Sequence, residues 1–191
     1  MEINHNYLES AYKQMLYYKT LAEKAMDQIH EDQLFVAYNE NTNSIAVIVK
    51  HLTGNMLSRW TDFLVTDGEK EWRDRDAEFE NDFNSKEELI SFWNKGWDVF
   101  LNTLQSLQPE DLIKIVYIRN QGHTVVDAIN RQLAHYPYHV GQIVFYAKLL
   151  KETEWNSLSI PKNQSKDYNS NKFSQEKSIK HFTDDELKKL Q

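Results

Sequence analysis

His135 and His139 stand four residues apart, so in a continuous helix both imidazoles project from the same side, one turn apart. A pair at that spacing can chelate one metal ion through two ring nitrogens. Catalytic zinc sites use three protein ligands and keep a position open, so a third ligand must come from another helix. His51 is the candidate, at the edge of an apolar stripe beside Ile48 and one turn before Asn55. The bland alternative is that the pair is simply half-buried polar surface. The zincin pattern His-Glu-x-x-His is absent, because Tyr136 stands where its Glu would be. No Glu stands three residues before His51, His135 or His139, so the Glu-x-x-His signature of carboxylate di-iron bundles is missing from them as well. Around the three histidines, Asn55, Gln132, Gln142 and Tyr146 are candidates to orient the imidazoles or a ligand, each with the alternative of an ordinary polar rim residue. Of the other histidines, His5, His30 and His181 read as surface residues, and His123 as a loop residue or a neighbour of the site.

The elements that must position these groups are helical. Leu8, Ala11, Met15, Tyr18, Ala22, Ala25 and Ile29 alternate three and four apart, which predicts a helix over about 5–30. Residues 31–43 are polar and read as a connection. Asn43 or Ser44 caps a second helix that carries Ile45, Val49, Leu52, Met56 and Phe63 inward to about Val65. Residues 66–84 read as a long, densely charged connection. Ser85 with Glu88 makes a capping box for a third helix, with Leu89, Trp93, Gly96, Phe100 and Leu104 inward and Pro109 ending the region. LIKIVYIR, residues 112–119, reads as a short extended segment with a turn at Asn120-Gln121-Gly122, too little for a sheet. Thr124, with Asp127 three residues on, opens the fourth helix. Its apolar positions, Val126, Ile129, Leu133, Tyr136, Val140, Ile143, Ala147 and Leu150, run unbroken to about 151. Pro137 removes a backbone bond inside it, which predicts a kink, or a π-bulge, rather than a break. The tail after Lys151 reads as polar and irregular, with a short helix from Thr183 whose capping box Glu186 completes.

Four amphipathic helices without sheet partners must bury their stripes against one another, an all-α four-helix bundle over residues 1–165 with an irregular tail over 166–191. The chain has 191 residues, 40% hydrophobic and 13% aromatic, with 5 Gly and 3 Pro. No cysteine is present, which removes disulfides, thiolate ligands and a cysteine nucleophile, and fits a reducing, cytoplasmic setting. MEINHNYLES lacks the basic and apolar regions of a signal peptide, and no apolar run reaches the roughly 20 residues of a membrane span. A net charge of −7 argues against nucleic acid, since nothing basic accompanies Tyr17, Tyr18, Trp60, Trp93 and Trp97 as a stacking platform.

RQLAHYPYHVGQIVFYAKLL resembles the last bundle helix of the DinB/YfiT-like superfamily, where a His-x-x-x-His pair precedes Gly-Gln-Ile. NSIAVIVKHLTGNM resembles that superfamily's second helix, with its single histidine. The resemblance covers about residues 5–165 and is nearest to a branch known only as a domain of unknown function, which shares a tail like WNSLSIPKNQS. It implies a four-helix bundle, a three-histidine site holding nickel or zinc with His51, His135 and His139 as ligands, and a homodimer. Pro137 departs from the small or aromatic residue usual between the paired histidines. Some members resemble thiol transferases that join a low-molecular-weight thiol such as bacillithiol to a small electrophile. The reading that follows is a metal-dependent thiol transferase or hydrolase. The alternative is a non-catalytic binding or interaction bundle with a structural or vestigial metal. A fourth protein ligand, from His123 or a tail carboxylate, would favour the alternative.

Overall fold

The structure is a computed structural model, and it describes residues 3–151 and 154–190. The residues at either end of the sequence, within the expected bundle and tail, lie outside that range. Among the described residues the chain is all-α apart from one small hairpin. Four long helices carry the fold: α1 (Ile3–Met26), α2 (Ile45–Trp60), α3 (Lys86–Ser106) and α4 (Val125–Lys151). Helix α1 packs against α3 and α4, and α2 packs against the same two, so α1 and α2 sit on opposite corners of the bundle. Among the described residues no helix is long and apolar enough to cross a membrane.

The apolar stripes are buried as their spacing demands. Met15, Ala22 and Ala25 of α1, Leu89, Trp93 and Phe100 of α3, and Ile129, Tyr136, Val140, Ile143 and Ala147 of α4 are all in the core. Thr124 caps α4: its hydroxyl accepts from the Asp127 amide (3.1 Å) and donates to the Asp127 carboxylate (2.7 Å). Ser44 caps α2 in the same way, accepting from Val47 N. Ser85 accepts from Glu88 N, but Glu88 returns its carboxylate to Asn84 rather than to Ser85. Helices α2 and α3 approach closely where Gly96 faces Thr53; a Cβ at Gly96 would stand 2.9 Å from Thr53 Cγ2.

Several expectations need correction. Helix α1 ends at Met26, and Ile29 is buried from a turn. Helix α2 stops at Trp60 rather than near Val65, with Asp62 in the left-handed region (φ 51°). Phe63 keeps its inward place by stacking on Trp60, with ring centres 4.4 Å apart. The 112–124 stretch does form a sheet: β1 (Ile115–Ile118) pairs antiparallel with β2 (Gln121–Thr124). Its turn is Arg119-Asn120, both at positive φ, and Gly122 lies within β2 opposite Tyr117. Helix α4 is unbroken and α-helical throughout, Pro137 included, with no π-bulge. The tail is less irregular than its composition suggests. It carries α5 (Ser165–Phe173) and α6 (Thr183–Leu190), and α6 packs on α1. Glu186 does not cap α6 but accepts from Tyr168, while Thr183 bonds the His181 ring. His181 is half-buried rather than superficial and also bonds Ser10 of α1 at 3.1 Å.

A buried hydrogen-bond chain ties α2 to α4. Trp60 Nε1 donates to the Tyr136 hydroxyl (3.0 Å), which donates to Asn55 Oδ1 (3.0 Å). Tyr136→Phe strands both partners in the core, so we expect a loss of about 1–3 kcal/mol in stability, read as a lower midpoint in thermal or urea unfolding.

Candidate metal centre

His51 projects from α2, and His135 and His139 from successive turns of α4. The three rings meet with centres 4.9–5.5 Å apart. One nitrogen from each lies within 4.8 Å of the others, forming a group that could hold a metal ion. His51 is buried, and the other two are half-buried.

Each imidazole is fixed from behind. His51 Nδ1 donates to Glu78 Oε2 at 2.9 Å, His135 Nδ1 to Gln132 Oε1 at 3.3 Å, and His139 Nδ1 to Gln142 Oε1 at 2.8 Å. A carboxylate can only accept, so His51 carries a proton on Nδ1, and Nε2 is the nitrogen left for a metal. With all three Nδ1 atoms committed to oxygens, the Nε2 atoms are the donors left to converge. Such outer partners set the tautomer and aim of metal-ligating histidines. Burial pushes His135 down to about 4, helped by the neighbouring His139 and His51. Burial also lowers His139, against the opposing bond to Gln142. Both rings are therefore neutral at neutral pH, the form a metal needs.

The remaining candidates fall in different places. Gln132 and Gln142 touch the paired histidines. Asn55 accepts from Tyr136, and Tyr146 donates to the Val36 carbonyl at 3.2 Å. His123 lies on β2 and is not part of the group.

The residue backing His51 comes from the charged connection. Glu78 sits in a single helical turn, its side chain 7% exposed, and is gripped by Arg73 through Nε (2.7 Å) and Nη2 (3.0 Å). Burial would raise the Glu78 carboxyl, but the bonds from His51 and Arg73 outweigh it and hold it ionised below its ordinary range. Arg73 also reaches Glu69 (3.3 Å), which pairs with Arg59 of α2 and with Arg119 of the hairpin turn (3.2 Å each). The hairpin anchors this connection. Gly68 N donates to the Tyr117 carbonyl, and Asp67 accepts from the amides of Arg119 and Asn120, both at 2.9 Å. Those two bonds offset the left-handed strain at the turn.

Nothing in the periodicity of residues 66–84 marks Glu78. The legible signal was Gly54, a helix-interior glycine one turn from His51. A Cβ there would lie 2.3 Å from Glu78 Oε1. Gly54→Ala should gain roughly 1 kcal/mol of helix propensity yet displace the Glu78 carboxylate. The displaced oxygen is the one that Arg73 Nε holds, so we expect weaker zinc binding in calorimetric titration together with a lower unfolding midpoint.

No curated protein and no solved structure matches the chain. One family model does match, described as a protein of unknown function, DUF1572, over residues 2–164, from the start of α1 to the residue before α5. That match spans most of the sequence, and the chain belongs to the DUF1572 family.

Proposed function

We propose that this chain is a divalent-metal protein of the DinB/YfiT-like type, with His51, His135 and His139 as ligands and zinc or nickel as the ion. The observation that carries the reading is the engagement of every Nδ1 by an oxygen acceptor, which leaves three imidazole nitrogens aimed into one space. Among the described residues no fourth histidine or carboxylate joins the group, which favours an open, catalytic site over a closed structural one. A divalent ion held there supplies a Lewis acid with one position free for a substrate atom.

The chain's own residues prepare that position. Glu78, held by Arg73, fixes His51 and compensates its developing charge. Phe79 stacks on the His51 ring at 5.2 Å and shields that side from water, with Arg75 over its outer face. The chain has no cysteine, which fits a nucleophile supplied from outside, as a low-molecular-weight thiol or as water. The reaction is therefore thiol transfer to a small electrophile, or hydrolysis.

The test is turnover by zinc- and nickel-loaded protein. Bacillithiol would be paired with chlorodinitrobenzene, and nitrophenyl esters would serve for hydrolysis, each against His135→Ala. Acceleration that depends on His135 is expected. Metal-loaded protein no faster than the variant on either class would contradict catalysis and leave a non-catalytic metal-binding bundle.

A further inference from the structure

The seam between α2 and α4 has two ends at the three histidines, and they differ. Toward Asn55 and Gln132 the seam is closed by Tyr136 and Trp60, all buried. The outer side of His51 is covered by Glu78 and Phe79. In the other direction, one turn from His51 at Ile48 and one turn from His139 at Gln142, the seam opens into a cleft of about 420 Å³. That volume lies in the range of small-molecule pockets, roughly 300–1,000 Å³.

The cleft's walls are Ile48, Phe145, Tyr146 and Leu149, with Tyr38 on the facing loop. Tyr146 holds that loop against α4 through the Val36 carbonyl. Asn41, Thr42 and Asn43 line one rim, and among the described residues no charged side chain lines the cleft. Phe145 is 71% exposed and Leu149 53%, a large apolar surface left open beside buried polar chemistry. Gln142 belongs to both places: its side chain lines the cleft and accepts the His139 proton.

We propose that this cleft binds a neutral, aromatic or branched apolar small molecule and is the substrate pocket of the three-histidine centre. The second half rests on the metal reading above; the first does not. Apolar walls select the body of the ligand, and the amide and hydroxyl rim accepts a neutral polar group. An anionic group would lose its hydration with no cation in the lining to replace it. The pocket therefore suits the electrophile or ester, not a thiol that carries carboxylates.

The experiment uses the full chain, metal-free and loaded with zinc or cobalt. The probes are the neutral fluorophore N-phenylnaphthylamine and its anionic relative anilinonaphthalene sulfonate. The expected result is one neutral probe bound per chain, at least about tenfold tighter than the anionic one. Phe145→Glu and Leu149→Glu change exposed positions and so should fold and keep their metal; each should weaken the neutral probe at least about tenfold. Emission of the bound probe should be quenched by cobalt relative to zinc. Failure of the probe to bind, binding by both variants as tight as by the native chain, or preference for the anionic probe overturns the pocket. So does a native dimer that excludes the probe and dissociates in the variants, which would make the face an interface between two copies. Equal emission with zinc and cobalt overturns its link to the histidines. Probe binding by a chain that takes up no metal supports the pocket while removing the metal reading.

Discussion

Zinc or nickel at about a thousand times its dissociation constant is expected to stabilise the native chain by about 4 kcal/mol, and His139→Ala is expected to lose that stabilisation. The magnitude is mass action: an ion that binds the folded arrangement and not the unfolded chain adds its binding energy to stability. His51 lies far in sequence from the His135–His139 pair and meets it only when α2 and α4 pack, so the unfolded chain has no comparable three-ligand site. Removing one imidazole leaves two donors, and the loss should exceed the roughly 10–100-fold typical of an outer-shell partner. Thermal unfolding with and without added zinc reads this directly. An equal shift in native protein and in His139→Ala would place the ion elsewhere.

Glu78→Ala is expected to cost about 3–5 kcal/mol of stability, because it leaves a buried cation without its main partner. The Arg73 side chain is only 2% exposed, and after the substitution its remaining carboxylate contact is Glu69 at 3.3 Å. The same change frees His51 to rotate. Glu78→Gln separates the two effects. It keeps the shape and one acceptor oxygen but removes the charge, so folding should survive while zinc affinity falls roughly 10–100-fold. Urea unfolding gives the first quantity and calorimetric titration the second. Full affinity in Glu78→Gln would show that the carboxylate serves only the ion-pair network and not the imidazole.

The part of the fold carried by helical periodicity was legible. The α4 stripe from Val126 to Leu150 predicted both the helix and its buried face, because side chains three and four apart share one side whatever packs against them. Pro137 did not interrupt it, since packing on both flanks outweighs one lost backbone bond. What periodicity cannot see is tertiary compensation. Phe63 continues the α2 pattern although the helix has ended, because it stacks on Trp60. The hairpin at 115–124 depends on the Asp67 carboxylate reaching the turn amides from a remote segment.

The site divides along the same line. His135 and His139 are a local spacing and His51 a position on an apolar edge, so the cluster was within reach of the sequence. Gln132 and Gln142 sit three residues from the histidines they serve, again a helical neighbour relation. Glu78, Arg73 and Glu69 reach the site from a connection with no repeat, 27 residues beyond His51 in the case of Glu78. Only the glycine that makes room for the carboxylate betrays them.

The most direct test of the three-histidine account is the metal content of the full chain, purified without a nickel column and measured by mass spectrometry for the native protein and for His135→Ala. The account predicts about one equivalent of a divalent transition metal in the native chain and none in the variant. Native protein that is metal-free and takes up neither added zinc nor added nickel would contradict it.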